Sequence, residues 1–141
     1  MKVVDTNVLL YAINRDAVHH EAARRWLTGA LNAHEPLGFT WVVLLAFVRL
    51  STSTAVLPRP LDVDTATTTV AEWLGRPNAV LLEPGASHLS QLRELLTATG
   101  AAGNLVSDAH IGAVALHYRA TVVSYDNDFS RFPGVRWEMP S

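Results

Sequence analysis

The sequence predicts an α/β fold: one domain over residues 1–141, with a central parallel, twisted sheet of about four to five strands and helices on both faces. Three observations point there. Short apolar or β-branched runs alternate with longer segments of helical periodicity, which is the order that crossover connections between parallel strands require. The 141 residues are 49% apolar, enough for a core at ordinary domain length. No repeat, linker or low-complexity tract divides the chain.

Lys2 to Val4 reads as a strand that ends on Asp5, and Asp5-Thr6-Asn7 leads straight into the apolar Val8 to Ile13, which suits a buried helix. In His19 to Ala30 the residues Ala22, Ala23, Trp26, Leu27 and Ala30 fall at helical spacing, with Glu21, Arg24 and Arg25 opposite. Leu37-Gly38-Phe39 is a second strand. Thr40 can cap the next helix, Trp41 to Leu50, which is apolar on nearly every side. Asp62 to Trp73 opens on acidic residues and stops near Gly75-Arg76-Pro77-Asn78. Ala79 to Leu82 is a third strand, Ser87 to Ala98 a helix, and Gly100 to Gly103 a loop. Leu105 to Arg119 is helical and apolar on most faces, Thr121 to Ser124 is a β-branched strand, and Val135 to Trp137 a last edge strand.

Composition removes several function classes. With no cysteine there is no disulfide framework, no thiol catalysis and no cysteine-based zinc site. No apolar run reaches the roughly 18 residues that span a bilayer, and Met1 to Asp5 lacks a signal peptide's apolar stretch, so a soluble, cytoplasmic protein with no membrane partner is expected. The net charge of −2 means that any nucleic-acid binding must come from a local patch or a metal.

Asp5 and Asp126 lie at or just beyond the ends of two predicted strands. In an open parallel sheet, strand ends at a topological switch point form the ligand crevice, so both carboxylates should face one cleft. Asp108 sits in the first turn of its helix, with Gly112 and Ala115 following at spacings that let the helix approach the sheet closely. If that helix packs beside the first strand, three acids converge. Carboxylates about 4 Å apart repel by roughly 4 kcal/mol per pair at an effective dielectric near 20, so protons or a cation must fill such a site. Oxygen ligands without cysteine favour Mg²⁺ or Mn²⁺ over zinc. Each acid also has a local reading: Asp5 as a helix cap, Asp108 as a partner of a helix dipole, Asp126 with Asn127 as turn chemistry.

Over nearly its whole length the chain resembles the PIN-domain ribonucleases, specifically the VapC-type toxins of bacterial toxin–antitoxin pairs. The resemblance rests on Val3-Val4-Asp5-Thr6-Asn7-Val8-Leu9, on Gly103-Asn104-Leu105-Val106-Ser107-Asp108-Ala109-His110-Ile111-Gly112-Ala113, and on Thr121-Val122-Val123-Ser124-Tyr125-Asp126-Asn127-Asp128-Phe129 followed by Phe132 to Trp137. It implies a metal-dependent endoribonuclease with Asp5, Asp108 and Asp126 as the acidic Mg²⁺ cluster and Asp128 as an additional nearby acid. Metal-activated water would leave 5′-phosphate and 3′-hydroxyl ends. Thr6 and Asn7 match residues that brace the first aspartate, and Asn104 and Ser124 fall at outer positions around the ligands. Arg49 is a candidate for substrate phosphate or for pairing with a site carboxylate; the alternative is a surface arginine snorkelling from a buried helix.

One departure stands out. Many relatives carry glutamate in a Leu-Ala-Glu-Phe-Val-Arg pattern, whereas Leu45-Ala46-Phe47-Val48-Arg49 places alanine there. Either Asp128 compensates, or the site holds one metal with water in place of the missing ligand, or catalysis is weak. The resemblance also implies a VapB-like antitoxin that inserts an arginine or lysine into the acidic cleft, a homodimer, and an RNA substrate met through its backbone and an unstacked loop. The four tryptophans read as core or interface anchors, and no histidine is assigned to metal or acid–base work. Two rivals differ in class. A phosphoacceptor receiver domain needs an aspartate after the third strand, where this chain has Glu83, and a lysine near the last strand, whereas the only lysine is Lys2. A catalytically silent PIN module that binds RNA or protein has the missing glutamate as its support.

Overall fold

In the computed structural model, which describes residues 1–100 and 102–141, five strands form one parallel sheet. They are β1 (Lys2–Val4), β2 (Leu37–Phe39), β3 (Ala79–Leu81), β4 (Thr121–Val123) and β5 (Arg136–Glu138), in the order β3-β2-β1-β4-β5. Val3 is in register with Gly38 on one side and Val122 on the other. The chain builds outward from β1 through β2 to β3, then returns to add β4 and β5 on the opposite flank. The order therefore reverses between β1 and β4, and their carboxyl ends open a crevice.

Six helices connect the strands: α1 (Thr6–Ile13), α2 (His20–Leu31), α3 (Trp41–Ser51), α4 (Val63–Leu74), α5 (His88–Thr99) and α6 (Val106–His117). Successive strand residues face opposite sides of a sheet, and Val3 and Val4 are both fully buried, so helices cover both faces. The edge strand β3 is less protected, with Val80 and Leu81 exposed. Local chemistry sets the helix starts: Thr40 Oγ1 accepts from the Val43 N–H at 3.4 Å, and Asp62 Oδ1 from the Thr65 N–H at 2.7 Å. Trp73 belongs to the core, edge-on to Phe47 with ring centroids 4.8 Å apart, whereas Trp41 is 48% exposed. No helix among the described residues is long and apolar enough to cross a membrane.

Three local expectations change. Gly103 does not close a loop but starts a 3₁₀ turn, Gly103–Leu105, that feeds α6; Ala101, within the expected loop, lies outside the described residues. The last strand starts at Arg136 because the Val135 N–H is taken by the Phe132 carbonyl at 3.3 Å, while the Glu138 carbonyl accepts from Ser124. Gly112 does allow a close approach, but to different partners. A β-carbon there would lie 3.3 Å from Val135 and 3.5 Å from Leu95, so the notch receives α5 and the segment before β5.

Candidate metal centre

Asp5 leaves β1 as the cap of α1, and both of its oxygens are held. Oδ1 accepts from the Thr6 N–H at 2.7 Å; Oδ2 accepts from Ser124 Oγ at 2.6 Å and from Asn7 Nδ2 at 3.3 Å. Ser124, fully buried at the end of β4, uses its one proton on Asp5 and accepts from Asn7 Nδ2 at 3.1 Å and from the Asp126 N–H at 2.9 Å. Asn7 Oδ1 accepts from the Tyr125 N–H at 3.1 Å, which fixes the amide, since reversing it would set its carbonyl against a carboxylate. Thr6 Oγ1 donates to the Val43 carbonyl at 3.3 Å and ties α1 to α3. A small polar lattice thus locks the end of β1 to the end of β4.

Asp126 Oδ1 accepts from the Asp128 N–H at 2.9 Å and so starts the turn Asn127–Arg131; Asp128 itself is not among the residues that line the cleft. Asp108, two residues into α6, completes the set: carboxylate oxygens of Asp108, Asp126 and Asp128 all lie within 4.8 Å of one another. Asp5, Asp108 and Asp126 line one cavity of about 630 Å³, together with Thr6, Asn7, Ser107 and apolar residues of α1 and α3. The Arg131 guanidinium reaches Asp128 at 3.6 Å from the exposed side and leaves the inner acids uncompensated.

Electrostatics follow from this crowding. Burial, then the charges of Asp5 and Asp126, push the Asp108 carboxyl up to about 7, and its neutral form hydrogen-bonds to Asp126. Asp5 is also raised, chiefly by burial, against the opposing hydrogen bonds from Ser124 and Thr6. An oxygen-only donor set under mutual repulsion fits a hard divalent cation, whose charge removes the strain that otherwise has to be relieved by protons.

The expected residues do not all meet. Asp5, Thr6, Asn7, Arg49, Asp108 and Asp126 line the cleft, and Ser124 stands directly behind Asp5. Asn104 does not: it is exposed in the 3₁₀ turn, and Ser107 occupies the lining one turn later. Arg49 is exposed at the mouth and forms no ion pair among the described residues. Ala46 presents a methyl group to the cavity. Tyr11 and Ser107 also line it, and the only sequence signal for either was position, Ser107 next to Asp108 and Tyr11 within the helix that follows Asp5. His110 contacts His88 across α5 and α6 at 2.7 Å, outside the cleft lining.

Comparison with known proteins bears on the family and the fold. The PIN domain profile matches residues 2–135. The chain is 53% identical to Ribonuclease VapC37 of Mycobacterium tuberculosis over 140 residues, covering 99% of this chain and 97% of that protein. It is 37% identical to Ribonuclease VapC33 of the same species, covering 99% and 98%. Among solved structures it resembles VapBC2 of Rickettsia felis bound to a promoter DNA fragment, with TM-score 0.72, 21% identity and 99% and 98% coverage. It also resembles VapC20 of Mycobacterium tuberculosis, described as a sarcin–ricin loop cleaving toxin, with TM-score 0.71, 20% identity and 96% and 99% coverage.

Proposed function

The chain belongs to the PIN domain family, among the VapC ribonucleases, and from that premise we propose that it is a metal-dependent endoribonuclease toxin of a toxin–antitoxin pair. It hydrolyses RNA phosphodiester bonds: water adds to phosphorus, the bond to the 3′ oxygen breaks, and 5′-phosphate and 3′-hydroxyl ends remain. The observation that carries this reading is the gathering of Asp108, Asp126 and Asp128 beside Asp5 at the switch point of the sheet.

These four aspartates would hold Mg²⁺, or Mn²⁺ in its place. When bound there, the cation supplies Lewis acidity toward water and offsets the charge that grows on the phosphoryl oxygens. Asp128 takes up the role left open by Ala46. Thr6, Asn7 and Ser124 keep Asp5 aimed, and the hydrogen bonds from Ser124 and Thr6 oppose the burial that raises its pKa. Asp108, with its proton lost near pH 7, gives it up when the cation enters, so cation affinity rises with pH through that value. Arg49 at the mouth receives a phosphate flanking the scissile bond.

The partner is a VapB-like antitoxin whose carboxy-terminal segment covers the cleft and places an arginine or lysine among the carboxylates, competing with the cation by charge. Trp41 and Leu45 on α3, 48% and 63% exposed, offer apolar surface for that segment or for the second subunit of a homodimer.

The test is cleavage of total RNA with and without Mg²⁺, with the new ends mapped by their reactivity to ligation. Asp108→Asn and Asp5→Asn are each expected to lower cleavage at least about a hundredfold and to abolish growth inhibition. Variants that stay toxic while cutting nothing would identify a binding module instead.

A further inference from the structure

Three aromatic rings without a part in the chemistry above contact one another, and one of them, Tyr11, lines the acid cleft. Tyr125 lies between Ser124, which holds Asp5, and Asp126, so the backbone that places the carboxylates also places this ring. His19 lies flat against it, with centroids 4.3 Å apart and ring planes 14° from parallel. Tyr11, part of the cleft lining, tilts against both, 5.5 Å from Tyr125 and 6.0 Å from His19.

The arrangement is not a buried core cluster. His19 is exposed, and Tyr11 and Tyr125 are half-buried. At the cap position of α2, His19 makes no capping hydrogen bond; its ring is laid on Tyr125 instead. The Tyr125 phenol oxygen is buried without a hydrogen-bond partner among the described residues. Exposed Arg25 is near enough to act on that phenol electrostatically, and it has no carboxylate partner among the described residues.

We propose that Tyr11, Tyr125 and His19 form a stacking shelf for an unpaired base of the RNA, adjacent to the phosphate at the acid cluster. The inference rests on the ribonuclease reading and deepens it by naming the substrate feature recognised. The base extends the existing stack on the open face of His19, and Arg25 meets the neighbouring phosphate. Every base has a π-face, so the shelf is tolerant of sequence. A base within an A-form helix has no free face, so the shelf selects loops and single strands over duplex.

The test uses a short single-stranded RNA carrying 2-aminopurine, whose fluorescence falls on stacking, bound in Ca²⁺, and cleavage kinetics of the same RNA in Mg²⁺. The wild-type protein is expected to quench the probe. His19→Ala should lose most of the quench, weaken binding on the order of tenfold and raise KM more than it lowers kcat. His19→Trp should restore both, and Tyr125→Phe should keep the quench. A His19→Ala protein with wild-type quench and KM overturns the shelf. If that happens while Asp108→Asn still abolishes cleavage, the nuclease reading stands alone. Quenching that depends on His19 in a protein that cuts no RNA leaves the shelf in place and removes the nuclease reading. A wild-type protein that does neither overturns both.

Discussion

Asp5 serves two purposes at once, and its two oxygens divide them. Oδ1 caps α1 through Thr6, while Oδ2 is held by Ser124 and Asn7 across the gap between β1 and β4. Asp126 likewise starts a turn with one oxygen and repels Asp108 as a member of the cluster. The local cap and turn readings of Asp5 and Asp126 hold, and they leave room for the proposed role of both acids in the cleft. Asp108 keeps its local reading too, as the acid in the first turn of α6, and burial with the charges of Asp5 and Asp126 raises its pKa to about 7. Ser124 is the residue on which the lattice depends most. Ser124→Ala deprives Asp5 of its shortest hydrogen bond and leaves the Asp126 N–H without its acceptor. We expect Mg²⁺ affinity to fall about 10- to 100-fold by calorimetry. Stability should drop by about 1–3 kcal/mol in urea, because buried polar groups lose their partners.

At the level of elements, three-residue strands leave little margin for misfit. Gly38 in β2 is the tightest point: a β-carbon there would stand 2.5 Å from Leu82 Cδ1 and 3.2 Å from the Lys2 carbonyl oxygen. The Leu82 side chain can move, but the β1 backbone cannot move without disturbing the sheet. Gly38→Ala is expected to cost about 1–3 kcal/mol, measured by urea unfolding. Cation binding by the folded fraction should persist, since Gly38 is not among the residues that line the acid cleft. Gly112 illustrates the opposite case. Its spacing from Asp108 marks a close approach, but a residue pattern does not identify the neighbour, which turns out to be Leu95, Phe132 and Val135.

For the whole molecule, the acid cluster makes stability depend on pH, and the proposed cation would add a dependence of its own. Asp108 rises from an ordinary 3.8 to about 7, so between those values the folded chain binds more protons than the unfolded chain, and stability falls as pH rises. His88 and His110 act in the other direction. Burial, with a smaller contribution from neighbouring histidine charge, lowers both below their usual value, so acid costs stability there. Comparison with Asp108→Asn isolates the carboxyl. In EDTA the variant should be more stable than the wild type at pH 8 by about 1–2 kcal/mol, a discounted figure because the group is only half-buried. That gap should close toward pH 5. Mg²⁺ at a hundred times Kd should stabilise the wild type by about 2.7 kcal/mol and the variant less, in parallel urea titrations.

Alternating periodicities suffice to predict parallel strands with helices on both faces, and Asp5 and Asp126 are legible as strand-end acids because a strand's direction is local information. Thr40 and Asp62 could likewise be read as caps, since a cap is a contact between residues three apart. Tertiary structure alone decided that β4 lies next to β1, that an Asp128 carboxylate oxygen comes within 4.8 Å of those of Asp108 and Asp126 while Asn104 stands exposed, and that His19 meets Tyr125. The reason is physical: those outcomes depend on which distant segments share a buried interface, and that follows from packing the whole core, which no single stretch of sequence contains.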